Sequence, residues 1–231
     1  VHDNPIRRYQ GLYNNFRDHC TERSGAGIEP IFHQHVRYSQ REWYVTLVPF
    51  HFLLLIDVVG GAVDKYIGDA IMSLWNAPNT EDDHAYLAVL SAYKMTCKVA
   101  QLNSIWVQQH LPVISIRVGV NSGTCLVGNV GSESRMNYTA LGDNVNIASR
   151  CESLNKRYST DILITENTYK ELKGRFVCRW LSYVSLKGKS LPIHVYQVLC
   201  PVEIATDQII DYATLHNNIK LCVESGEPEQ A

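Results

Sequence analysis

The chain has 231 residues, of which 45% are hydrophobic and 19% charged, enough apolar material for one large folded domain and too much for wholesale disorder. Its 21 lysines and arginines nearly balance its 23 aspartates and glutamates, so no long-range positive field favours nucleic acid as a partner. The seven cysteines are scattered without a C-x-x-C pair, which is typical of a reducing compartment and predicts thiols that act as small hydrophobic side chains.

The N-terminus shows no signal-peptide pattern. The most apolar run, residues 45–59, is interrupted by Pro49, His51 and Asp57 and is too short to span a bilayer. We therefore expect a cytoplasmic location, or the cytosolic portion of a larger or membrane-tethered protein. Any contact with a membrane would come only through a parent chain.

Three regions are expected: an atypical N-terminal segment at 1–44, a folded domain at 45–200, and a trailing helix with a linker at 201–231. The stretch "GGAVDKYIGDAIMSLW" predicts two strands that meet at a tight turn, Gly68-Asp69. A long amphipathic helix follows and ends near Pro112. Its apolar stripe alternates spacings of four and three, over Ala88, Ala92, Met95, Val99, Leu102 and Trp106.

Beyond this helix the chain alternates strands and helices. Strands are predicted at "ISIRVGV", "TCLVGNVG", "YTALG" and "DILIT", and a closing strand pair at "FVCRWLSYVSLKG" and "IHVYQVL". Helices are predicted at "ENTYKEL" and at "DNVNIASRCESLN", the latter capped by Asp143 or Asn144. Strands paired as hairpins between helices indicate an α+β sandwich of ferredoxin-like type.

Five polar residues are candidates for a nucleotide site. Asn146 and Arg150 lie four apart on a predicted helix, so they share a face that suits a ribose and a phosphate, although such a pair is more often a solvated helix face. Asp69 at the turn is placed to reach a metal on a triphosphate, and strand periodicity puts Lys65 on the same side. Asp69 alone is equally a turn residue, and Lys187 beside a glycine is either a phosphate contact or a plain turn.

Four stretches carry a family resemblance: "DKYIGDAIMSLWNAP", "IRVGVNSGTCLVGNVG", "YTALGDNVNIASRCESL" and "LKGKSLPIHVYQV". In this order they closely resemble the catalytic domain of class III adenylyl/guanylyl cyclases, over about residues 52–198. The resemblance implies the sandwich fold of that family and a reaction in which the 3′-hydroxyl of a purine nucleoside triphosphate attacks its own α-phosphate and releases pyrophosphate. It also implies Mg²⁺ or Mn²⁺ as cofactor and sites formed at a head-to-tail dimer interface.

The resemblance also implies a role for each matching residue. It assigns Asp69 to metal binding, Asn146 to orienting the ribose, Arg150 to the transition state, Lys65 and Thr139 to reading the purine, and Lys187 to the triphosphate. Adenine presents an acceptor at N1 and a donor at N6, which suits the donors of Lys65 and the accepting hydroxyl of Thr139. ATP is therefore the expected substrate. GTP remains an alternative because the Thr139 hydroxyl can also donate.

One expected motif is missing. The family's other metal aspartate lies in an early strand of the form F-x-D-I-x-G-F-T, central to the sheet, and this sequence has no such stretch. Asp57 in "LLLIDVVGG" imitates it superficially, but the context predicts the end of a helix before the Gly-Gly turn. Two hypotheses follow: an adenylyl cyclase acting as a homodimer or as a heterodimer with a related cyclase domain, or a catalytically impaired cyclase-like domain that serves as a dimerisation or regulatory partner.

Overall fold

The computed structural model describes residues 52–132, 135–185 and 192–225. The expectations for 1–44, for Lys187 and for the end of the C-terminal linker lie outside these ranges. After a helical segment at 52–58, the elements follow in the order β1 (Ala62–Ile67), β2 (Ala70–Leu74), α1 (His84–Gln108), β3 (Val118–Val120), β4 (Leu126–Ser132), β5 (Arg135–Leu141), α2 (Asp143–Tyr158), β6 (Ile162–Thr165), α3 (Glu166–Glu171), β7 (Phe176–Val184), β8 (Ile193–Pro201), a 3₁₀ turn (Val202–Ile204) and α4 (Asp207–Ser225).

The strands form three sheets, which confirms the predicted α+β class. Four strands are ordered β3-β6-β8-β7, with β3 and β6 parallel and the other pairs antiparallel. The predicted hairpin around Gly68-Asp69 is present as β1–β2, and β4–β5 forms a second hairpin. Among the described strands, neither hairpin is hydrogen-bonded to the four-stranded sheet.

Helix α1 links the four-stranded sheet to the β1–β2 hairpin. All six residues of its predicted stripe are buried. The N-terminal half, with Val89 and Ala92, packs on Ile162 and Ile164 of β6. The C-terminal half packs on the 52–58 segment and on the hairpin, in a cluster that contains Phe52, Ile56, Val63, Ile71, Met95, Val99, Leu102, Trp75 and Trp106.

Helix α2 covers the opposite face of the sheet. Ile147 and Cys151 pack against Leu163 of β6, whose side chain points away from its neighbours Ile162 and Ile164. The helix approaches β3 so closely that a Cβ added at Gly119 would lie 2.3 Å from the Ala148 carbonyl oxygen. Only glycine allows this distance between the backbones.

Helix α4 covers the free edge of β7. The side-chain amide of Asn217 accepts a hydrogen bond from Trp180 N (2.9 Å) and donates one to the Cys178 carbonyl (3.3 Å). These bonds satisfy backbone groups that an edge strand otherwise presents to other chains. Buried Arg179 donates to Gln197 and Tyr212, and lies 3.1 Å from His216 Nε2. Helix α4 is thus hydrogen-bonded to β7 of the four-stranded sheet.

Three local predictions differ from the structure. The strand at "ISIRVGV" is confined to Val118–Val120, and at its predicted start the Asn103 side chain bonds both the amide and the carbonyl of Ile114 (3.0 and 2.7 Å). The strand at "YTALG" extends back to Arg135 because it pairs with all of β4. Helix α2 has Gly142 at its N-cap, and neither Asp143 nor Asn144 caps it with a side chain.

The described helices include none long and apolar enough to cross a membrane. The described cysteines carry free thiols, and burial raises the pKa of Cys151 to about 12 and also raises that of Cys178. Such thiols are poor nucleophiles at neutral pH because the thiolate is the reactive form.

We expect Gly119→Ala to lower the free energy of unfolding by about 1 to 3 kcal/mol, because the added methyl forces α2 away from β3. Urea denaturation measures the change. Gly128→Ala is the matched strand control, since a Cβ there meets nothing within 4 Å. Its effect should stay within about 0.5 kcal/mol or be slightly stabilising. Equal losses in both variants would contradict the close approach of α2.

The contact between His216 and Arg179 predicts a loss of stability in mild acid. Burial, followed by the Arg179 charge, lowers the pKa of His216 to about 4. Between the unfolded pKa of about 6.5 and pH 4, the unfolded chain therefore binds a proton that the folded chain does not, so stability is full above this window and falls as pH decreases through it. We expect a loss of about 1 to 2 kcal/mol, because His216 is only partly buried.

Urea midpoints measured from pH 7.5 to pH 4.5 check this dependence. His216→Gln keeps an acceptor for Arg179 but cannot titrate, so its midpoints should depend less on pH than those of the wild-type chain. His110→Gln, at an exposed position, should follow the wild-type curve. Parallel curves for His216→Gln and the wild type would contradict the prediction.

Candidate active site

The β1–β2 hairpin presents its polar residues at and near its turn. Gly68 has φ of +63°, in the left-handed region that glycine adopts without strain, and Asp69 beside it is exposed. Lys65, near the end of β1, is half exposed, with 42% of its side chain accessible. The hairpin therefore offers an amine and a carboxylate to solvent within a few residues.

A β-bulge interrupts the pairing of β1 with β2 at one residue. Val63 pairs with Ser73 and Lys65 pairs with Met72, so Asp64 has no partner residue on β2. A bulge of this kind turns the extra residue out of the regular alternation. The Asp64 side chain is only 1% exposed, whereas that of its neighbour Lys65 is half exposed.

Asp64 connects the β1–β2 hairpin with the β4–β5 hairpin. Its Oδ2 accepts a 2.6 Å hydrogen bond from the Thr139 hydroxyl and a longer one, 3.4 Å, from Ala140 N. Its Oδ1 lies 3.6 Å from Lys65 Nζ, which is ion-pair distance but too long for a hydrogen bond. Within the described residues Oδ1 has no hydrogen-bond donor. One buried carboxylate therefore contacts both Lys65 and Thr139.

Helix α2 carries the predicted Asn146 and Arg150 on one face, four residues apart. Asn146 is exposed and Arg150 is partly buried. Asp69 lies on a different element, the turn of the β1–β2 hairpin.

Two asparagines hold the start of α2 in place. The Asn121 amide donates to the Asn144 carbonyl and side chain (3.0 and 3.1 Å) and accepts from the Thr165 hydroxyl (2.7 Å). Asn144 donates to the Thr124 carbonyl at 2.7 Å. A Cβ added at Gly123 would lie 2.5 Å from the side chain of Asn144, so any larger residue there would displace that side chain. This network orients the helix turn that presents Asn146.

The sequence of residues 54–200 matches the model of a family described as the adenylate and guanylate cyclase catalytic domain. The chain belongs to this family. Adenylate cyclase 1 of Rhizobium meliloti is 34% identical over 161 residues, which are 68% of this chain and 24% of that protein. The chain therefore spans about a quarter of the length of that relative.

Two solved cyclase structures share the fold. The adenylyl cyclase CyaB from P. aeruginosa superposes with a TM-score of 0.64 at 30% identity, covering 74% of this chain and 88% of that one. The guanylyl cyclase Cya2 also superposes with a TM-score of 0.64, at 28% identity, covering 73% and 86%. Because an adenylyl and a guanylyl cyclase superpose equally well, membership of the cyclase domain family leaves the choice of base open.

Cyclases of this family are expected to use divalent metals, and the described residues fit such a site only in part. The exposed Asp69 carboxylate is the type of oxygen ligand that Mg²⁺ prefers. Within the described ranges, however, no group of three or more His, Cys, Asp or Glu side chains is arranged to hold a metal. Asp57 lies in the helical segment at 52–58, as the sequence predicted, and is exposed. The described residues alone therefore do not make a complete metal site.

Sequence reasoning missed Asp64, Asn121 and Asn144 as residues that organise the site. For Asp64 the one local signal is its position beside Lys65, and its partner Thr139 lies 75 positions away in the sequence. The asparagines gave no comparable signal, since their partners are 23 and 44 positions away in the sequence.

We expect Asn144→Ala to lower the free energy of unfolding by about 1 to 2 kcal/mol, because it removes hydrogen bonds to Asn121 and Thr124. Hydrogen exchange should also become faster in the first turn of α2. Asn146→Ala, two residues along the same helix at an exposed position, is the matched control and should leave both measurements unchanged. A loss of stability in Asn146→Ala equal to that in Asn144→Ala would contradict the prediction.

Proposed function

We propose that this chain is an adenylyl cyclase domain that converts ATP to cyclic AMP and pyrophosphate in intracellular signalling. The proposal depends on one observation: Lys65 and Thr139 both contact the Asp64 carboxylate, although Thr139 is 75 positions from Asp64 in the sequence. An amine donor beside a hydroxyl acceptor complements N1 and N6 of adenine. Guanine, with a proton on N1 and an acceptor at O6, matches this pair less well.

The proposed reaction is an in-line displacement at the α-phosphorus. The ribose 3′-oxygen forms the new bond, the bond from the α-phosphorus to the β-bridging oxygen breaks, and its electron pair leaves with pyrophosphate. The hydroxyl proton passes to solvent. Asn146 holds the ribose for this attack, and Arg150 stabilises the charge that develops at the pentavalent phosphorus. Lys187, outside the described residues, contacts the triphosphate.

The cofactor proposed is Mg²⁺ or Mn²⁺, with Asp69 as one ligand. A second carboxylate would have to come from residues outside the described ranges or from a partner. No step of the reaction is assigned to the metal for that reason.

A dimer completes the proposed site. The β4–β5 hairpin exposes several large apolar side chains, which supports burial against a partner: Leu126, Met136, Tyr138 and Leu141. The partner is a second copy of this chain or a related cyclase domain. In a homodimer both sites would lack the carboxylate of the missing F-x-D-I-x-G-F-T motif.

That missing carboxylate supports a second candidate function, in which the chain is a cyclase-like partner that contributes only part of a site. The position of Asp57 favours this alternative. Asp57 is the aspartate whose sequence context most resembles the missing motif, but it lies in a helical segment and not in a strand. In such a heterodimer the other domain would supply the metal ligands.

One assay separates the two candidates. Purified chain is incubated with ATP and Mn²⁺, alone and mixed with a cyclase domain that keeps the F-x-D-I-x-G motif but has its own transition-state arginine replaced. Cyclic AMP from the chain alone supports the adenylyl cyclase. Cyclic AMP only from the mixture supports the partner function, and its absence from both would contradict both.

We expect Arg150→Ala to lower kcat about 100-fold with little change in KM, because the guanidinium acts on charge present only in the transition state. The measurement is cyclic AMP formation in whichever of the two preparations is active. Arg157→Ala, an exposed arginine on the last turn of the same helix, is the matched control and should keep full activity. A large rise in KM at unchanged kcat would instead assign Arg150 to ground-state binding.

A further inference from the structure

The hydroxyl of Thr139 has a single proton, and its hydrogen-bond partner in the structure determines which acceptor receives it. At 2.6 Å from Asp64 Oδ2, the hydroxyl donates to a carboxylate, which has no proton to donate in return. Both groups are almost completely buried, at 4% exposure for Thr139 and 1% for the Asp64 side chain. Water therefore does not compete well for the bond, and burial strengthens it.

A threonine held in this way has only lone pairs left for a ligand. It accepts a hydrogen bond from a donor such as the N6 amine of adenine, but it cannot donate to an acceptor such as O6 of guanine. The ambiguity of an isolated threonine, which can donate or accept, is thereby removed.

The same carboxylate also acts on Lys65. Its second oxygen lies 3.6 Å from Lys65 Nζ and has no hydrogen-bond donor among the described residues. The opposite charges hold the amine on the side of Thr139 without using its donors in a short hydrogen bond. Lys65 thus keeps N–H groups for an acceptor such as N1 of adenine. The bulge in β1 lies at Asp64, whose side chain is buried, while that of Lys65 beside it is half exposed.

We propose that Asp64 is a specificity-determining positioning residue that restricts Thr139 to accepting and keeps Lys65 beside it, so that the pair selects adenine over guanine nucleotides. The inference rests on the proposed function, because it requires Lys65 and Thr139 to contact the base. Asp64 itself touches no substrate. Its effect is exerted through the direction of one hydroxyl proton and the position of one amine.

Replacing the carboxylate by an amide tests the inference. In Asp64→Asn the side-chain NH₂ can donate to Thr139, which frees the Thr139 proton for O6 of guanine, and the charge that attracts Lys65 is gone. The purified chain, alone and in the mixture used for the cyclisation assay, is titrated calorimetrically with 3′-deoxy-ATP and 3′-deoxy-GTP, which bind without turnover. The readout is the ratio of the two dissociation constants, because a general folding defect weakens both nucleotides alike.

We expect the wild-type preparation to bind the adenine nucleotide more tightly, and Asp64→Asn to reduce the preference about tenfold, as the loss of one hydrogen-bond match implies. Thr139→Val should reduce it similarly, whereas Thr139→Ser, which keeps the hydroxyl, should retain it. Thr160→Val removes another buried threonine hydroxyl, bonded to Asn155 at 2.8 Å, and should lower stability without changing the ratio.

The possible failures are distinguishable. Binding of neither nucleotide by the wild type would overturn the proposed function and this inference with it. If the wild-type preference for the adenine nucleotide is retained in Asp64→Asn, the inference alone is overturned. The Asp64–Thr139 hydrogen bond would then only stabilise the packing of β1 on β5. A preference that is lost in Asp64→Asn, in a wild type that forms no cyclic AMP, would support base selection by Asp64 and contradict the proposed chemistry.

Discussion

A buried carboxylate joins the two hairpins of this domain. Among the described strands, β1–β2 and β4–β5 share no backbone ladder with each other or with the four-stranded sheet. The Asp64–Thr139 hydrogen bond connects one hairpin to the other, and both residues that form it are almost completely buried. Removing either partner of this hydrogen bond is costly, because the other partner is then a buried polar group without a hydrogen bond. The relative position of Lys65 and Thr139 depends on it.

The rest of the site depends on the way in which α2 is seated. Its apolar side rests on β6 through Ile147 and Cys151, and its backbone touches β3 at Gly119. At its start, Asn121 and Asn144 fix the direction of the first turn. Asn146 and Arg150 are thereby presented by a rigid element, which is the usual way to hold catalytic groups at a defined distance from a substrate.

The division into separate sheets also bears on the missing motif. A strand central to the sheet would join the β1–β2 hairpin to the four-stranded sheet, and among the described residues no strand does so. Helix α1 bridges them instead, with one half on each. The missing F-x-D-I-x-G-F-T motif would supply both the second metal aspartate and this central strand. One missing motif therefore accounts for both the incomplete metal site and the unjoined hairpin among the described residues.

Periodicity and turn chemistry in the sequence determined the α+β class, the β1–β2 hairpin and the stripe of α1, because these depend on residues close together in the chain. The family was indicated by the resemblance of four short motifs. Strand ends were less predictable: Ile114 is not part of β3, and its backbone is instead hydrogen-bonded by the side chain of Asn103, eleven residues earlier. The direction of Asp64 and the single acceptor role of Thr139 were decided only by tertiary structure. A contact across 75 positions fixes them, and neither this contact nor the position of a hydroxyl proton is encoded by local pattern.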